Sequence, residues 1–182
     1  MSSLVEPLLH FVVPFASLSA FRIDLRKAAL ASLIALAPDL DVFFRIHRSQ
    51  SHSIIILGAI ALPLLVFTRN RKEVRTFVLL GTFGVLTHLV LDLFQAPTPL
   101  LWPLLNESLM VSVQLNLQIG IAPAVAGYVR LVTGESTIGF FTSFDEPLLT
   151  AEGLGISLVL LAPTIFTILR QATSPTRKPE KR

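Results

Sequence analysis

The chain has 182 residues, of which 52% are hydrophobic and only 15% charged, with a formal net charge of +3. Soluble globular domains carry about 25% charged residues, so this composition excludes an ordinary soluble domain and favours a membrane protein. The chain contains no cysteine, which excludes a disulfide scaffold and a thiolate metal site. Any metal ion would therefore be held by His, Asp and Glu. The length predicts a single domain at residues 1–173, followed by a disordered basic tail at residues 174–182.

Five apolar stretches predict an all-α fold, a polytopic bundle of about five membrane-spanning helices. They cover residues 4–21, 28–44, 54–68, 76–94 and 154–169. A helix that crosses the hydrocarbon core needs about 20 residues, and the fourth stretch meets this length. The third stretch is short, and the second contains Asp39 and Asp41 after Pro38, so we expect these two to be broken or partly inserted helices.

The region at residues 95–153 differs from these stretches. Between residues 110 and 119 apolar and polar side chains alternate, which is the period of a half-buried strand. A strand lying open within the bilayer would leave backbone groups unpaired, so we predict an extracytoplasmic loop region of some strand character. A sixth span at residues 119–132 is the alternative interpretation.

The distribution of charge predicts the orientation. Basic residues form three clusters, at residues 22–27, 69–75 and 170–182, whereas residues 95–153 contain five acidic residues and one arginine. The positive-inside rule places the three basic clusters in the cytoplasm and the acidic region outside. Five crossings satisfy these assignments and predict a multi-pass integral protein of the cell membrane. No aromatic residue accompanies the basic tail, so we expect no nucleic acid as a partner.

All histidines of the chain, together with three aspartates, lie inside or at the edge of apolar stretches. They are His10, His47, His52, His88, Asp39, Asp41 and Asp92. Ionisable side chains at membrane depth are costly, so they usually pair, line a cavity or carry function. The orientation predicted from lysine and arginine places all seven near the outer face of the membrane. They therefore predict one shared polar site.

Three short motifs indicate the chemistry of this site. His88 and Asp92 are four residues apart, so both side chains face one side of a helix and offer a metal an imidazole and a carboxylate. Pro38 interrupts the backbone beside two carboxylates. Residues 47–53 contain two imidazoles, three hydroxyls and the guanidinium of Arg48, which suits a phosphate oxygen. Such a ligand set suits Zn²⁺, Mn²⁺ or another divalent first-row ion, and its size is compatible with one ion or two.

These motifs resemble a known family, the YdjM-like membrane-bound metal-dependent hydrolases. The resemblance covers residues 4–103 and rests on four blocks in order: His10; Pro38-Asp39-x-Asp41; His47-Arg48-x-x-Ser51-His52-Ser53; and Gly84-x-x-x-His88-x-x-x-Asp92. The third block departs from the family pattern, because Ser49 and Ser51 stand where the family usually has Gly and Thr.

The resemblance implies a zinc-dependent chemistry. The family is distantly similar to zinc-dependent phospholipase C and P1-type nucleases, which implies zinc ions on His and Asp ligands and hydrolysis of a phosphoester. The predicted metal ligands are His10, Asp41, His47, His52, His88 and Asp92. We expect Asp39 to act as general base if it is not itself a ligand, and Arg48 to stabilise phosphoryl charge.

Two classes of function follow from these predictions. The first is a metal-dependent hydrolase that cleaves a phosphoester in a lipid or lipid-linked substrate, since the predicted site lies at the outer membrane interface. The alternative is a metal-ion or proton transporter that uses the same histidines and aspartates. A scaffold with a structural metal is a third interpretation. The expected cofactor in the first case is a divalent metal, zinc, and the expected partner is membrane lipid.

Overall fold

The computed structural model describes residues 7–46, 48–119, 124–136, 140–142, 147 and 149–173, and the predicted basic tail at residues 174–182 lies outside this part. The described residues form five α-helices, two short 3-10 helices and one sheet of two strands. The α-helices are α1 (Pro7–Ala20), α2 (Leu25–Ile34), α3 (Ile54–Phe67), α4 (Lys72–Leu93) and α5 (Ala151–Thr173). The 3-10 helices are η1 (Pro38–Phe44) and η2 (Gln50–His52), and the strands are β1 (Glu107–Gln118) and β2 (Ala124–Glu135).

Helix α4 is the packing partner that α1, α2 and α3 share. Its 22 residues rise about 33 Å, which matches a hydrocarbon core of about 30 Å. Helix α5 packs against α1 and contributes a second apolar segment, Ala151–Arg170. Among the described residues, α4 and α5 are the two helices that are long and apolar enough to cross a membrane.

The predicted all-α bundle of five spans is wrong. Helices α1 and α3 have 14 residues each, a rise of about 21 Å, which is too short for a hydrocarbon core of about 30 Å. The stretch at residues 28–44 is divided, because α2 ends at Ile34 and η1 begins at Pro38, which has no N–H to continue an α-helix. The paired strands β1 and β2 also show that the fold is not all-α.

Strands β1 and β2 form an antiparallel hairpin, with Glu107 opposite Glu135 at its base. A bridge between Thr98 and Leu109 joins β1 to the segment that follows α4. The alternating sequence that predicted a strand lies mostly within β1. The alternative of a sixth span at residues 119–132 is wrong, because β2 occupies most of that range.

Helices α2 and α4 approach each other through small residues. Ala28 and Ala31 of α2 are fully buried. Gly84 of α4 lies against Ala31 and Ala35, and a Cβ atom added there would be 2.6 Å from the carbonyl oxygen of Ala31. Small residues allow helix backbones in membrane proteins to approach closely. This contact holds α2, and the η1 segment that follows it, against the half of α4 that carries His88.

Candidate metal centre

Four ionisable side chains converge where η1, η2 and the end of α4 meet. They are Asp39 on η1, His52 on η2, and His88 and Asp92 on α4. One ligand atom from each residue lies within 4.8 Å of the other three. The side chains of His52 and His88 are 0% exposed and that of Asp92 is 2% exposed, whereas that of Asp39 is 23% exposed. Asp39 therefore marks the side of the cluster that solvent reaches.

The four atoms are spaced like ligands around one metal ion. His52 Nε2 and His88 Nε2 lie 3.3 Å apart, and each lies 3.1 Å from Asp92 Oδ2 and 3.4 Å from Asp39 Oδ1. A zinc ion with ligand bonds of about 2.0–2.1 Å has tetrahedral ligand-to-ligand edges of about 3.3–3.4 Å. The distance between the two nitrogens, and those from each nitrogen to the two carboxylate oxygens, are therefore close to the edges of a tetrahedral zinc site.

The buried oxygen Asp92 Oδ2 supports a cation at this position. The Nε2 atoms of His52 and His88 each lie 3.1 Å from it, but neither is aligned for a hydrogen bond to it. A buried polar atom without a partner costs free energy, and a buried carboxylate costs more than a neutral group. A metal ion shared with both imidazoles would satisfy this oxygen. The donor set of two imidazoles and two carboxylates thus fits a divalent first-row ion.

Ser53 fixes the backbone next to His52. Its Oγ accepts the backbone N–H groups of Ile55 and Ile56 and so caps the N-terminus of α3. The same hydroxyl donates to the carbonyl oxygen of Trp102, in the segment that follows α4. His52 is thereby held between the start of α3 and the chain that leaves α4.

Asp41 lies behind His52 and outside the group of four. Its Oδ2 is 3.5 Å from His52 Nδ1, the ring nitrogen on the opposite side from the cluster. This oxygen accepts the backbone N–H of Ser49 and the hydroxyls of Ser49 and Ser51, and Ser51 Oγ lies 3.0 Å from His52 Nδ1. Such contacts fix the ring of a metal-binding histidine and direct its other nitrogen to the metal. Asp41, which the sequence predicted as a ligand, thus contacts the far nitrogen of His52 and lies outside the group of four, and its role as a ligand stays a prediction.

His10 of α1 lies against the carboxylate oxygens that face away from His52 and His88. Its Nδ1 is 3.5 Å from Asp39 Oδ2 and its Nε2 is 3.6 Å from Asp92 Oδ1. The centroid of its ring is 4.0 Å from that of His88. Both of its ring nitrogens are buried without a hydrogen-bond partner. His10, also predicted as a ligand, therefore lies beside the four-atom group and contacts both carboxylates.

Arg48 brings a positive charge to the edge of the cluster. Its Nη2 lies 3.8 Å from Asp92 Oδ1, and its side chain is 18% exposed. Its backbone φ is 51°, in the left-handed region that residues other than glycine rarely adopt. This conformation places the guanidinium beside Asp92. His47, the neighbouring predicted ligand, lies outside the described residues.

Burial and ion pairing act in opposite directions on Asp39 and His52. Burial alone would lower the pKa of His52, but contacts with Asp39, Asp41 and Asp92 outweigh it and raise this pKa to about 10. Burial alone would raise the pKa of Asp39, but contacts with His10 and His52 hold this pKa well below its usual range. Without a metal, the site therefore concentrates carboxylate charge around a protonated imidazole.

Two hydroxyl residues of the site were not predicted to take part in it. The sequence analysis counted Ser49 and Ser51 among the three hydroxyls of residues 47–53 but gave neither a role, whereas the structure shows both donating to Asp41. The signal available in the sequence was the density of hydroxyls at residues 47–53. The predicted site residues that the structure brings together are His10, Asp39, Asp41, Arg48, His52, His88 and Asp92.

Comparison with known proteins identifies the family. The sequence model of the YdjM inner membrane protein family matches residues 6–170. No curated protein and no solved structure matches the chain. The more distant similarity to zinc-dependent phospholipase C and P1-type nucleases finds no support in these comparisons and stays a prediction. Because the match covers most of the sequence and two helices are able to cross a membrane, the chain belongs to the YdjM inner membrane protein family.

Proposed function

We propose that this membrane protein is a metal-dependent hydrolase that cleaves a phosphoester, with zinc as its metal. The observation that carries the proposal is the convergence of four ligand atoms from Asp39, His52, His88 and Asp92. The two imidazole nitrogens lie 3.3 Å apart and 3.1–3.4 Å from the carboxylate oxygens, close to the edge lengths of a zinc tetrahedron. The unpartnered oxygen of Asp92 and the absence of cysteine from the chain both favour a divalent ion on imidazole and carboxylate ligands.

Asp39 is the member of the cluster best placed to leave the metal. Catalytic zinc sites keep three protein ligands and one open position, whereas structural sites are closed. His52, His88 and Asp92 are enclosed by protein, while Asp39 is reached by solvent and lies on a short 3-10 helix. We assign the first three as permanent ligands and Asp39 to the exchangeable position. A zinc ion bound there would supply an activated water, and Asp39, whose Oδ1 lies 3.4 Å from both Nε2 atoms, would be its general base.

Arg48 is the group that would bind the phosphoryl oxygens. Its planar guanidinium offers several N–H donors in a fixed fork, which suits phosphate better than the single ammonium of lysine. Its Nη2 lies 3.8 Å from Asp92 Oδ1, and its buried Nε has no hydrogen-bond partner. An anionic phosphoester at the solvent side of Asp39 would supply a hydrogen-bond partner for this Nε atom.

The position of the site along α4 favours a lipid or lipid-linked substrate. We infer that α4 and α5 both cross the membrane, which makes the protein multi-pass. The basic residues at 69–75 precede α4, and Arg170 lies in the last turn of α5, so the positive-inside rule places these ends in the cytoplasm. His88 and Asp92 then lie near the outer end of α4, at the depth of lipid headgroups.

The test is metal content and turnover of the detergent-purified protein. Inductively coupled plasma mass spectrometry would measure zinc, and a panel of phosphoesters that includes phosphatidic acid and lipid diphosphates would measure hydrolysis. Arg48→Lys should retain zinc and lose turnover, because lysine keeps the charge without the fork. Arg45→Lys is the matched control, since Arg45 has the same left-handed backbone, with φ 59°, and an exposed side chain.

Two outcomes would contradict the hydrolase proposal. Zinc binding without hydrolysis of any phosphoester would favour the structural-metal interpretation. Zinc-dependent flux of ions across vesicles that contain the protein would favour the transporter alternative, in which the same histidines and aspartates carry a metal ion or a proton.

A further inference from the structure

An apolar cleft of about 380 Å³ lies between α3 and α4. Its walls include Ile56, Ile60 and Leu64 of α3 and Phe77, Gly81 and Val85 of α4. The volume falls within the range of about 300–1,000 Å³ that is usual for small-molecule sites. Its lining is almost entirely aliphatic and aromatic, which favours a hydrocarbon over water or a polar ligand.

One end of the cleft borders the metal centre. Pro38, which precedes Asp39 in η1, lines this end. Ser51 lines it as well, and the Oγ of Ser51 lies 3.0 Å from His52 Nδ1. On α4 the last lining residue, Val85, lies one helical turn before His88. The cleft therefore begins within one helical turn of the four-atom cluster.

The other end of the cleft lies deeper along the membrane-spanning helix. From Val85 back to Phe77 the lining of α4 covers eight residue steps, a rise of about 12 Å. Half of a hydrocarbon core of about 30 Å is close to that length. The metal centre lies near one end of α4, within one leaflet of the membrane. A lipid in that leaflet would thus have its phosphate at the metal centre and its chain along the cleft.

We propose that the cleft binds one hydrocarbon chain of a lipid phosphoester whose phosphate group lies at the metal centre. This inference rests on the proposed function and names its substrate class, a phosphoester with at least one long alkyl or acyl chain. Two observations carry the inference. The cleft is continuous with the metal centre at one end, and its apolar walls run along a membrane-spanning helix. A water-soluble phosphoester would leave these walls without a partner.

Photolabelling of the full-length protein tests this inference. The probe is a phosphonate analogue of phosphatidic acid with a diazirine on one acyl chain, mixed into phosphatidylcholine vesicles that contain the zinc-treated protein. The phosphonate keeps the anionic head and has no phosphoester bond to cleave. We expect the labelled peptides to come from the cleft walls on α3 and α4. Diacylglycerol with the same diazirine chain should label these peptides less, because it lacks the anionic head.

Two adjacent residues of α4 provide the matched variants. Val78 lines the cleft and Leu79 does not, while Leu79 is 49% exposed on the outer surface of the helix. Val78→Phe should fill the cleft and reduce labelling of its walls by about tenfold, the effect of losing contact with about two methylene groups. Leu79→Phe should leave labelling unchanged. Thr82→Phe, one turn further along the same wall, repeats the test if Val78→Phe does not fold.

The zinc content of the same samples separates the two proposals. In one outcome all variants bind zinc, and the cleft walls are labelled equally in Val78→Phe, Thr82→Phe and Leu79→Phe. That outcome would contradict chain binding in the cleft and would still support the metal centre. Labelling that depends on Val78 in a protein that binds no zinc would support the cleft and contradict the proposed hydrolase. Labelling confined to peptides outside α3 and α4 would also contradict binding of the lipid chain in the cleft.

Discussion

His52 Nε2 and His88 Nε2 lie 3.3 Å apart although the two residues are separated by 36 positions in the chain. One imidazole comes from a three-residue 3-10 helix and the other from near the end of a long apolar helix. Two neutral imidazoles that directed lone pairs at each other over this distance would repel, so a proton or a metal ion between them is required. The oxygen Asp92 Oδ2, 3.1 Å from both nitrogens, favours an ion that all three atoms share.

The first prediction concerns the residue behind His52. Asp41→Asn should leave zinc bound but weaken its affinity by about 10–100-fold, because residues that orient a metal-binding histidine usually contribute that much. Ser49→Gly is a milder variant, since it removes the hydroxyl donor to Asp41 and keeps the backbone donor. Competition with a zinc chelator measures both affinities. Complete loss of zinc in Asp41→Asn would instead identify Asp41 as a direct ligand.

The second prediction concerns the contact between α2 and α4. Gly84→Ala should lower the free energy of unfolding by about 1–3 kcal/mol, because overpacking forces backbone shifts, and a Cβ there would lie 2.6 Å from the oxygen of Ala31. Gly58→Ala is the control, since nothing lies within 4 Å of a Cβ at Gly58. That variant should be neutral or more stable by about 0.5–1 kcal/mol. Unfolding of both variants in detergent gives the comparison, and equal stability would contradict the close approach of the helices.

The third prediction concerns protons. In the metal-free site the pKa of His52 is raised to about 10, so this imidazole carries a proton at neutral pH that zinc must displace. The Asp39 carboxyl has a lowered pKa and is already ionised at neutral pH, so it contributes no proton. Zinc binding at about pH 7 should therefore release about one proton, and zinc affinity should rise with pH. Titration calorimetry in buffers of different ionisation enthalpy measures this number, and a value of zero would contradict the protonated His52.

The fourth prediction concerns orientation. The chain has no cysteine, so single cysteines introduced at Gln118 and Asn70 can be labelled without background. Gln118 is exposed at the tip of β1, and Asn70 is exposed in the turn between α3 and α4. An impermeant maleimide should label Gln118→Cys in intact cells and should label Asn70→Cys only after the membrane is opened. The reverse pattern would place the metal centre on the cytoplasmic side.

The convergence of the histidines and aspartates at one site was predictable because it depends on local spacing and on charge. Side chains at i and i+4 share a helix face, so His88 and Asp92 had to lie together if residues 76–94 formed a helix. The common depth of the other histidines and aspartates was inferred from lysine and arginine together with five crossings. The structure keeps the grouping, although only two of the described helices are long and apolar enough to span a membrane.

The division of roles between Asp39 and Asp41 was not predictable in the same way. On a 3-10 helix, with about three residues per turn, side chains two positions apart point in different directions. Only one of the two carboxylates can therefore face His88 and Asp92, and the rotation of η1 decides which one. That rotation depends on packing against α4 and η2, and no local pattern in the sequence reports it.

The number of membrane spans was overestimated because hydropathy measures composition and not helix length. Residues 28–44 are apolar overall, yet Pro38 ends the α-helical hydrogen bonding within them. β2 was missed for a related reason. Its sequence around Val125 and Val129 is largely apolar without a clear alternation, so it did not distinguish a strand from a helix.

Zinc content is the measurement that tests the metal centre most directly. After incubation with zinc and removal of the excess, the purified wild-type protein and the neighbouring control Thr87→Ala should each retain about one ion per chain, as a single tetrahedral site requires. His88→Ala should retain none, because it removes the imidazole that lies 3.3 Å from His52 Nε2 and 3.1 Å from Asp92 Oδ2. Equal zinc content in His88→Ala and the wild type, or no zinc in the wild type, would contradict the metal centre.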